Sequence, residues 1–273
     1  MKFKILHHKK EQIKNIFNDK SYELTDDNQA TELLVTGSTT NLKKEELTKY
    51  PNLKFIVHCC NGTNTIDQGH CKNNNIQIFN SPTANINATA EHTVALILAA
   101  LRKIPAADKS IREGLWERDL FLGREINEST IGFLGFGRIA RLVLEKLSSF
   151  KPKKVIAYDP FLSQEQIDQV TPKGLNVKVI KSELDDLLKE AEIISLHLPL
   201  LPTTKHMIGK DQFEMMKDKT IIINCSRGGI IDEAVLIEAL KSNKIAAAAL
   251  DVFEGEPQVN PKLFDLDQCI MTP

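Results

Sequence analysis

The sequence predicts an α/β protein made of two doubly wound parallel-sheet domains. Three observations carry that prediction. Short, β-rich apolar runs alternate with helical stretches, one long stretch of helical periodicity interrupts the alternation near residue 90, and 273 residues exceed the usual size of a single domain. The first series of apolar runs is 2–6, 33–36, 54–58 and 76–79, with helical segments such as 43–49 between them. The interruption runs from Asn87 through Ala106, with Ala90, Val94, Ile97, Leu98 and Leu101 at spacings of three and four, and predicts one buried helix. The domain boundary is expected within it, dividing 1–92 from 93–273. A second, stronger series follows at 130–134, 154–158, 177–180, 193–197, 220–224, 246–250 and 269–272, and seven strands suit a doubly wound sheet. The intervening helices are periodic as well: Ile139, Val143, Leu144 and Leu147 share one face, as do Leu184, Leu187 and Leu188, and Val235, Leu236 and Leu240.

Composition narrows the function. Lysine plus arginine (35) nearly balances aspartate plus glutamate (36), so the chain presents no overall field for nucleic acid or an anionic membrane. A small-molecule partner is expected instead. No apolar run reaches the roughly 20 residues that span a bilayer, and the start MKFKILHHKK has no signal-peptide core, which predicts a cytoplasmic protein. The five cysteines are odd in number, and Cys59 is adjacent to Cys60, a pattern that predicts reduced thiols. His7 with His8, and His70 with Cys71, lack further ligands at metal spacing, so no metal site is expected.

The densest functional signal follows the run 130–134. There Gly135-Phe136-Gly137-Arg138-Ile139-Ala140 leads into a helical segment ending near Ser149. Gly135 permits a tight turn, Gly137 lets the backbone approach a pyrophosphate, and the small Ala140 lets helix and strand pack closely. The helix N-terminus then offers N–H donors and a positive dipole end. The next apolar run ends in Tyr158-Asp159, at the spacing expected of a carboxylate that accepts both ribose hydroxyls. Together these predict a bound dinucleotide. Because a carboxylate repels a ribose phosphate, the prediction is NAD over NADP, with Arg138, Lys153 and Lys154 as the opposing charges.

Three further blocks carry a family resemblance: His197-Leu198-Pro199-Leu200 with Thr204; Asn224-Cys225-Ser226-Arg227-Gly228-Gly229 with Asp232-Glu233; and Ala248-Ala249-Leu250-Asp251-Val252-Phe253-Glu254-Gly255-Glu256-Pro257. With the glycine loop, they make the sequence resemble the D-isomer-specific 2-hydroxyacid dehydrogenases, nearest their phosphoglycerate dehydrogenase branch. Ala90-Glu91-His92 and Gly114-Leu115-Trp116-Glu117-Arg118 match corresponding segments. The resemblance implies a flavodoxin-like substrate domain at 1–92 and a Rossmann NAD-binding domain at 93–273. It implies that Gly135, Phe136, Gly137, Arg138, Ile139, Asp159, His197, Pro199, Thr204, Cys225 and Asp251 meet NAD, with Asp251 on the nicotinamide amide. It also implies that Asn61-Gly62-Thr63-Asn64, with Asp67, forms the loop whose amides hold a substrate carboxylate, although Cys60 stands where a glycine is common.

The chemistry can be weighed apart from the resemblance. Oxidising an alcohol by hydride transfer needs a cationic anchor for the substrate carboxylate and a base for the hydroxyl proton. Arg227 suits the anchor, since a guanidinium grips a carboxylate and polarises the adjacent carbonyl. The resemblance makes Glu256 the carboxylate that pairs with the catalytic histidine. Glu254 is the alternative, and Glu256 is preferred because it directly precedes Pro257. His197 falls beside the cofactor rather than in the role of proton carrier, His92 is expected to be a packed or capping histidine, and His58 and Arg118 are candidate substrate contacts. The resemblance places the acid–base histidine directly after Pro273, followed by chain that returns to the first domain. The sequence is therefore expected to be part of a longer protein, with natural truncation as the alternative. The function implied is NAD-dependent interconversion of a D-2-hydroxy acid and its 2-oxo acid, 3-phosphoglycerate included among the candidates. The rivals are a non-catalytic NAD-responsive binding protein of corepressor type and an inactive truncated dehydrogenase. The segment 104–125 resembles the family's dimerisation arm, implying a homodimer.

Overall fold

The computed structural model describes residues 1–6, 10–16, 22–37, 39–60, 62–63 and 65–273. The chain separates into two compact units, Met1–Ile86 and Asn87–Pro273. The first contains β1 (Lys2–Leu6), α1 (Lys10–Lys14), β2 (Glu23–Leu24), β3 (Leu33–Thr36), α2 (Lys44–Leu47), β4 (Phe55–His58), α3 (Gln68–Asn73) and β5 (Gln77–Asn80). Its strands pair in parallel in the order β2-β1-β3-β4-β5, the flavodoxin-like arrangement. Side-chain alternation divides the core: Leu34 and Ile56 pack in one cluster, while Phe3, Ile5, Leu33 and Val35 pack in another. Among the described strands, only β2 has no counterpart in the sequence reading. Two residues at a sheet edge make too short a run to show periodicity.

The second unit takes in α4 (Ile86–Leu101), then α5 (Ile104–Arg112), β6 (Thr130–Leu134), α6 (Arg138–Leu147), β7 (Lys154–Tyr158), α7 (Gln164–Val170), β8 (Val179–Lys181), α8 (Leu184–Glu190), β9 (Ile193–Leu196), α9 (Lys210–Met215), β10 (Thr220–Asn224), α10 (Glu233–Lys241), β11 (Ile245–Leu250) and β12 (Cys269–Met271). All seven strands are parallel, in the order β12-β11-β10-β9-β6-β7-β8. Counted from β6, this is the doubly wound Rossmann order with one strand added at the edge. Both faces are covered. Ile222 and Leu134 join one core cluster, whereas their neighbours Ile221, Ile223 and Phe133 join the other, as expected of strands buried on both sides.

The long helix expected through Ala106 is instead two. Lys103 takes a left-handed conformation (φ 52°), and Pro105 opens α5. A proline at 105 clashes with the carbonyl four residues back in a continuous helix, so α4 ends at Leu101. That carbonyl accepts instead from the Arg124 N–H at 3.1 Å. No helix among the described residues is long and apolar enough to cross a membrane, and none of the five cysteines forms a disulfide.

Candidate functional site

The carboxyl edge of the seven-stranded sheet is laced together one residue beyond the strands. Gly135 N–H donates to the Tyr158 carbonyl (2.8 Å), His197 N–H to Leu134 (2.8 Å), Asp251 N–H to Asn224 (3.0 Å) and Thr272 N–H to Leu250 (2.9 Å). These bonds hold the loops after β6, β9, β10, β11 and β12 side by side. Strand order reverses where β9 and β7 flank β6, and such a switch point is where open α/β sheets open a crevice for ligands.

The glycine loop crosses that point. Gly135 has φ +86°, and a Cβ there would lie 2.6 Å from the His197 carbonyl oxygen. No other residue fits. Gly137 is different: its φ of −76° suits any residue, and a Cβ would meet nothing within 4 Å. The space above it is open, and the N-terminus of α6 has no side-chain cap. Unpartnered N–H groups at the start of a ten-residue helix, beside open space, suit a phosphate. Arg138 is exposed there and Ile139 is half-buried, while Phe136 is buried and meets Phe133 edge-on at 6.0 Å. Asp159 is bound directly to this loop, its Oδ2 accepting from Phe136 N–H and its Oδ1 from Phe161 N–H, both at 3.0 Å. Each oxygen keeps a lone pair for a ribose hydroxyl. Loop, helix end and carboxylate together fit a dinucleotide.

A second cluster follows β10. The buried Asn224 side chain acts as a brace: its Nδ2 donates to the Arg227 carbonyl (2.9 Å) and its Oδ1 accepts from Ser226 N–H (3.0 Å) and Ser226 Oγ (2.7 Å). Gly228 is forced by a neighbour, since a Cβ would fall 1.8 Å from the Phe253 carbonyl oxygen. The turn carrying Arg227 therefore packs backbone to backbone against the loop carrying Glu256. Arg227 Nη1 donates to the Ser226 carbonyl (2.6 Å), and its guanidinium has no carboxylate partner among the described residues. Glu256 accepts from Phe253 N–H (2.9 Å) and is exposed. Glu254, the alternative, is engaged by His206 at 2.6 Å, and its N–H donates to the nearly buried Glu233 at 2.5 Å. Burial raises the Glu233 carboxyl above its ordinary value, and Glu254 and Glu256 add to the effect.

His197 is unsuited to carrying protons. Its ring lies against Phe133 with centroids 5.7 Å apart, its Nε2 is 2.8 Å from Ser195 Oγ, and burial pushes it down to about 3. The Thr204 hydroxyl is committed to its own turn, donating to the Pro199 carbonyl (2.6 Å) and accepting from Leu201 N–H (2.8 Å), so it shapes the loop in which Pro199 is exposed. Cys225 is half-buried, and its thiol is pushed up to about 11, which leaves it neutral. Asp251, expected at the nicotinamide, lies within 3.0 Å of His92 Nε2 and accepts from Thr272 Oγ1 at 2.7 Å. Sequence reasoning took His92 for a packed or capping histidine and passed over Asn224 and Glu233 as individual residues. A shared helix face or strand end carries no mark of which distant side chain it meets.

In the first unit, His58 is buried, with Nδ1 2.8 Å from Thr36 Oγ1 and its ring bonded to the Gly62 backbone. It is thus a packed histidine that tethers the loop after β4, and desolvation lowers its pKa. Asp67 caps α3 by accepting from His70 N–H at 2.8 Å. Asn61 and Asn64, and likewise His7 and His8, lie outside the described residues. Among the described residues, no group of three or more His, Cys, Asp or Glu side chains is arranged to hold a metal ion. A cavity of about 330 Å³ lies away from the glycine loop, lined in part by Ala100, Leu122, Arg124, Ala247 and Ile270. We do not assign it to the cofactor, because none of the phosphate-loop residues borders it.

The model of the D-isomer specific 2-hydroxyacid dehydrogenase NAD binding domain matches residues 94–273. D-3-phosphoglycerate dehydrogenase of Archaeoglobus fulgidus is 43% identical over 244 residues, which cover 89% of this chain and 45% of the relative. The enzyme of that name from Methanocaldococcus jannaschii is 39% identical, over 92% of this chain and 47% of the relative. The chain thus spans about half the length of these relatives. Among solved structures, Aquifex aeolicus D-lactate dehydrogenase complexed with NAD and lactic acid superposes with TM-score 0.86 at 27% identity, covering 100% of this chain and 88% of that one. NAD-dependent formate dehydrogenase from Staphylococcus aureus in complex with NAD gives 0.85 at 25% identity, with the same coverage.

Proposed function

The chain belongs to the D-isomer specific 2-hydroxyacid dehydrogenases and carries their NAD-binding domain, and on that premise we propose that the protein interconverts a D-2-hydroxy acid and its 2-oxo acid. NAD, when bound, supplies the hydride acceptor in one direction and, reduced, the donor in the other. The observation that carries the proposal is Arg227: a guanidinium without a carboxylate partner among the described residues, held by the Asn224 brace and fixed against the Asp251–Glu256 loop. In this reading Arg227 binds the substrate carboxylate and polarises its carbonyl. Gly137, Arg138 and Ile139 receive the pyrophosphate, Asp159 the ribose, and the half-buried Asp251 the carboxamide.

Glu256 sits at the exposed tip of its loop, available to pair with an imidazole and favour its protonated form. Relatives named D-3-phosphoglycerate dehydrogenase, at about 40% identity, support 3-phosphoglycerate as the substrate. The segment between α5 and β6 supports a homodimer, since Trp116, Leu120 and Leu122 are all strongly exposed there. The five thiols suit a reducing cytoplasm. No observation favours the non-catalytic alternative.

The test is a panel of 2-oxo acids, including phosphohydroxypyruvate, glyoxylate and pyruvate, assayed with NADH on the protein. Turnover is expected with at least one of them, and the phosphorylated acid is expected to be best. A protein that binds NADH and reduces none of them would sink the dehydrogenase reading.

A further inference from the structure

His92 lies on α4, far in sequence from the loops it reaches. Its Nε2 is 3.0 Å from Asp251 Oδ1 and 2.9 Å from Thr272 Oγ1, and Thr272 Oγ1 donates to the same Asp251 oxygen at 2.7 Å. The proton assignment follows from these distances. An unprotonated Nε2 would set its lone pair against the carboxylate, so Nε2 carries the hydrogen and donates to both neighbours. Thr272 accepts from His92 and passes its own hydrogen to Asp251. Asp251 Oδ1 thus receives two donors, while no hydrogen bond or ion pair involves Oδ2 among the described residues.

The backbone fixes the same arrangement. Asp251 and Thr272 stand one residue past β11 and β12, with Asp251 N–H bonded to the Asn224 carbonyl and Thr272 N–H to the Leu250 carbonyl. His92 closes the triangle from a helix whose Ala90 and Thr93 are fully buried, so its own position is set by core packing.

We propose that His92 is a positioning residue for the nicotinamide: with Thr272 it holds one carboxylate oxygen of Asp251 and leaves the other as the acceptor for the carboxamide N–H. This rests on the family reading, which puts Asp251 at the carboxamide, and it assigns a task to a histidine otherwise taken for packing. A carboxylate held by two donors loses little rotamer freedom on binding, so the hydrogen bond it forms is stronger than one from a swinging side chain.

The test uses the 273-residue chain and three probes in calorimetry: NAD, its 3-acetylpyridine analogue, whose carboxamide NH2 is replaced by methyl, and ADP-ribose, which has no pyridine ring. The unsubstituted chain is expected to bind NAD more tightly than the analogue. In H92A, binding of NAD should weaken about fivefold to tenfold. The analogue and ADP-ribose should change less than about twofold, so the discrimination collapses. H92Q, which keeps a nitrogen donor near the Nε2 position, should restore it. Unchanged discrimination in H92A, or equal weakening of all three probes, would overturn the proposal in favour of a packing role. Equal binding of NAD and the analogue by the unsubstituted chain would overturn it too, along with the placement of Asp251 at the carboxamide, while leaving the NAD-binding assignment of the domain intact. Failure to bind any of the three would overturn the cofactor reading itself.

Discussion

The substitution G137A separates what the glycine loop does for the fold from what it does for a ligand. At 137 the backbone (φ −76°, ψ −168°) suits alanine, and the new Cβ meets no protein atom within 4 Å. The folded state should therefore change by less than about 0.5 kcal/mol, the range of an exposed substitution without a special role. Tm should then hold to within about 2 °C. The methyl would stand where the pyrophosphate has to approach, and overpacking of about 1–3 kcal/mol corresponds to NADH binding weakened about fivefold to 150-fold. G135A provides the contrast. There φ is +86° and the Cβ lies 2.6 Å from the His197 carbonyl oxygen, so left-handed strain and backbone overlap add to about 2–5 kcal/mol, or about 4–20 °C in Tm. Calorimetric melting and NADH fluorescence titration on both variants read the two effects separately. A G137A chain that melts normally and binds NADH with undiminished affinity would refute the assignment of that open space to the pyrophosphate.

Other substitutions probe the remaining parts of the site. D159N should weaken NADH about tenfold to a hundredfold, the scale of a lost charge-assisted hydrogen bond, and shift preference toward NADPH. Equal loss of both coenzymes in paired titrations would show that Asp159 merely braces Phe136 N–H. R227K should lower kcat/KM about a hundredfold or more while leaving the NADH Kd within about twofold, and steady-state kinetics that split the other way would remove Arg227 from the substrate. His197, held down to about 3, binds fewer protons folded than unfolded between about pH 3 and 6.5, so its stabilisation is full at neutral pH and is lost as pH falls below the unfolded value. From pH 7.5 to 5 that loss is about 2 kcal/mol, and urea unfolding of H197Q should show a pH slope flatter by that amount, whatever its absolute stability. W116S combined with L122S, at sites 77% and 73% exposed, should weaken the proposed dimer about thirtyfold or more in light scattering, and an unsubstituted chain monomeric at every concentration would dismiss the dimer.

What the sequence disclosed about this molecule is what periodicity and local chemistry encode. Strands buried on both faces appear as continuous apolar runs, and Thr130–Leu134, Lys154–Tyr158 and Thr220–Asn224 occupy the spans their composition predicts. Gly135 stood out because its left-handed turn admits glycine alone, and Gly137 because a phosphate approaching the helix end would need the space of a side chain. Three kinds of feature stayed hidden. Glu23–Leu24 is too short to carry a period, and Lys103 adopts a left-handed backbone with no glycine or asparagine to signal it. The third kind is long-range side-chain bonding. His92 and Thr272 are 180 residues apart, and nothing near either one indicates the other.

The same distinction explains which parts of the site depend on single residues. The proposed phosphate end is made of backbone, so it needs a glycine where the turn is left-handed and a small residue where a phosphate would approach, and a motif reveals it. The proposed reactive end depends instead on side chains that brace its loops: Asn224 holds the Arg227 carbonyl, Glu233 the Glu254 N–H, and His92 and Thr272 the Asp251 carboxylate. Hydrogen bonds to charged groups contribute about 1.5–3 kcal/mol each, and a buried brace that loses its partner leaves a polar group unsatisfied. Substitutions at Asn224 or Glu233 should therefore damage the reactive end as much as substitutions at the residues they hold. Because the Arg227 turn packs at Gly228 directly against the Phe253–Glu254 backbone, a shift of either loop should be passed to the other, so that the proposed substrate anchor Arg227 and the carboxylate at Glu256 are displaced together rather than one at a time.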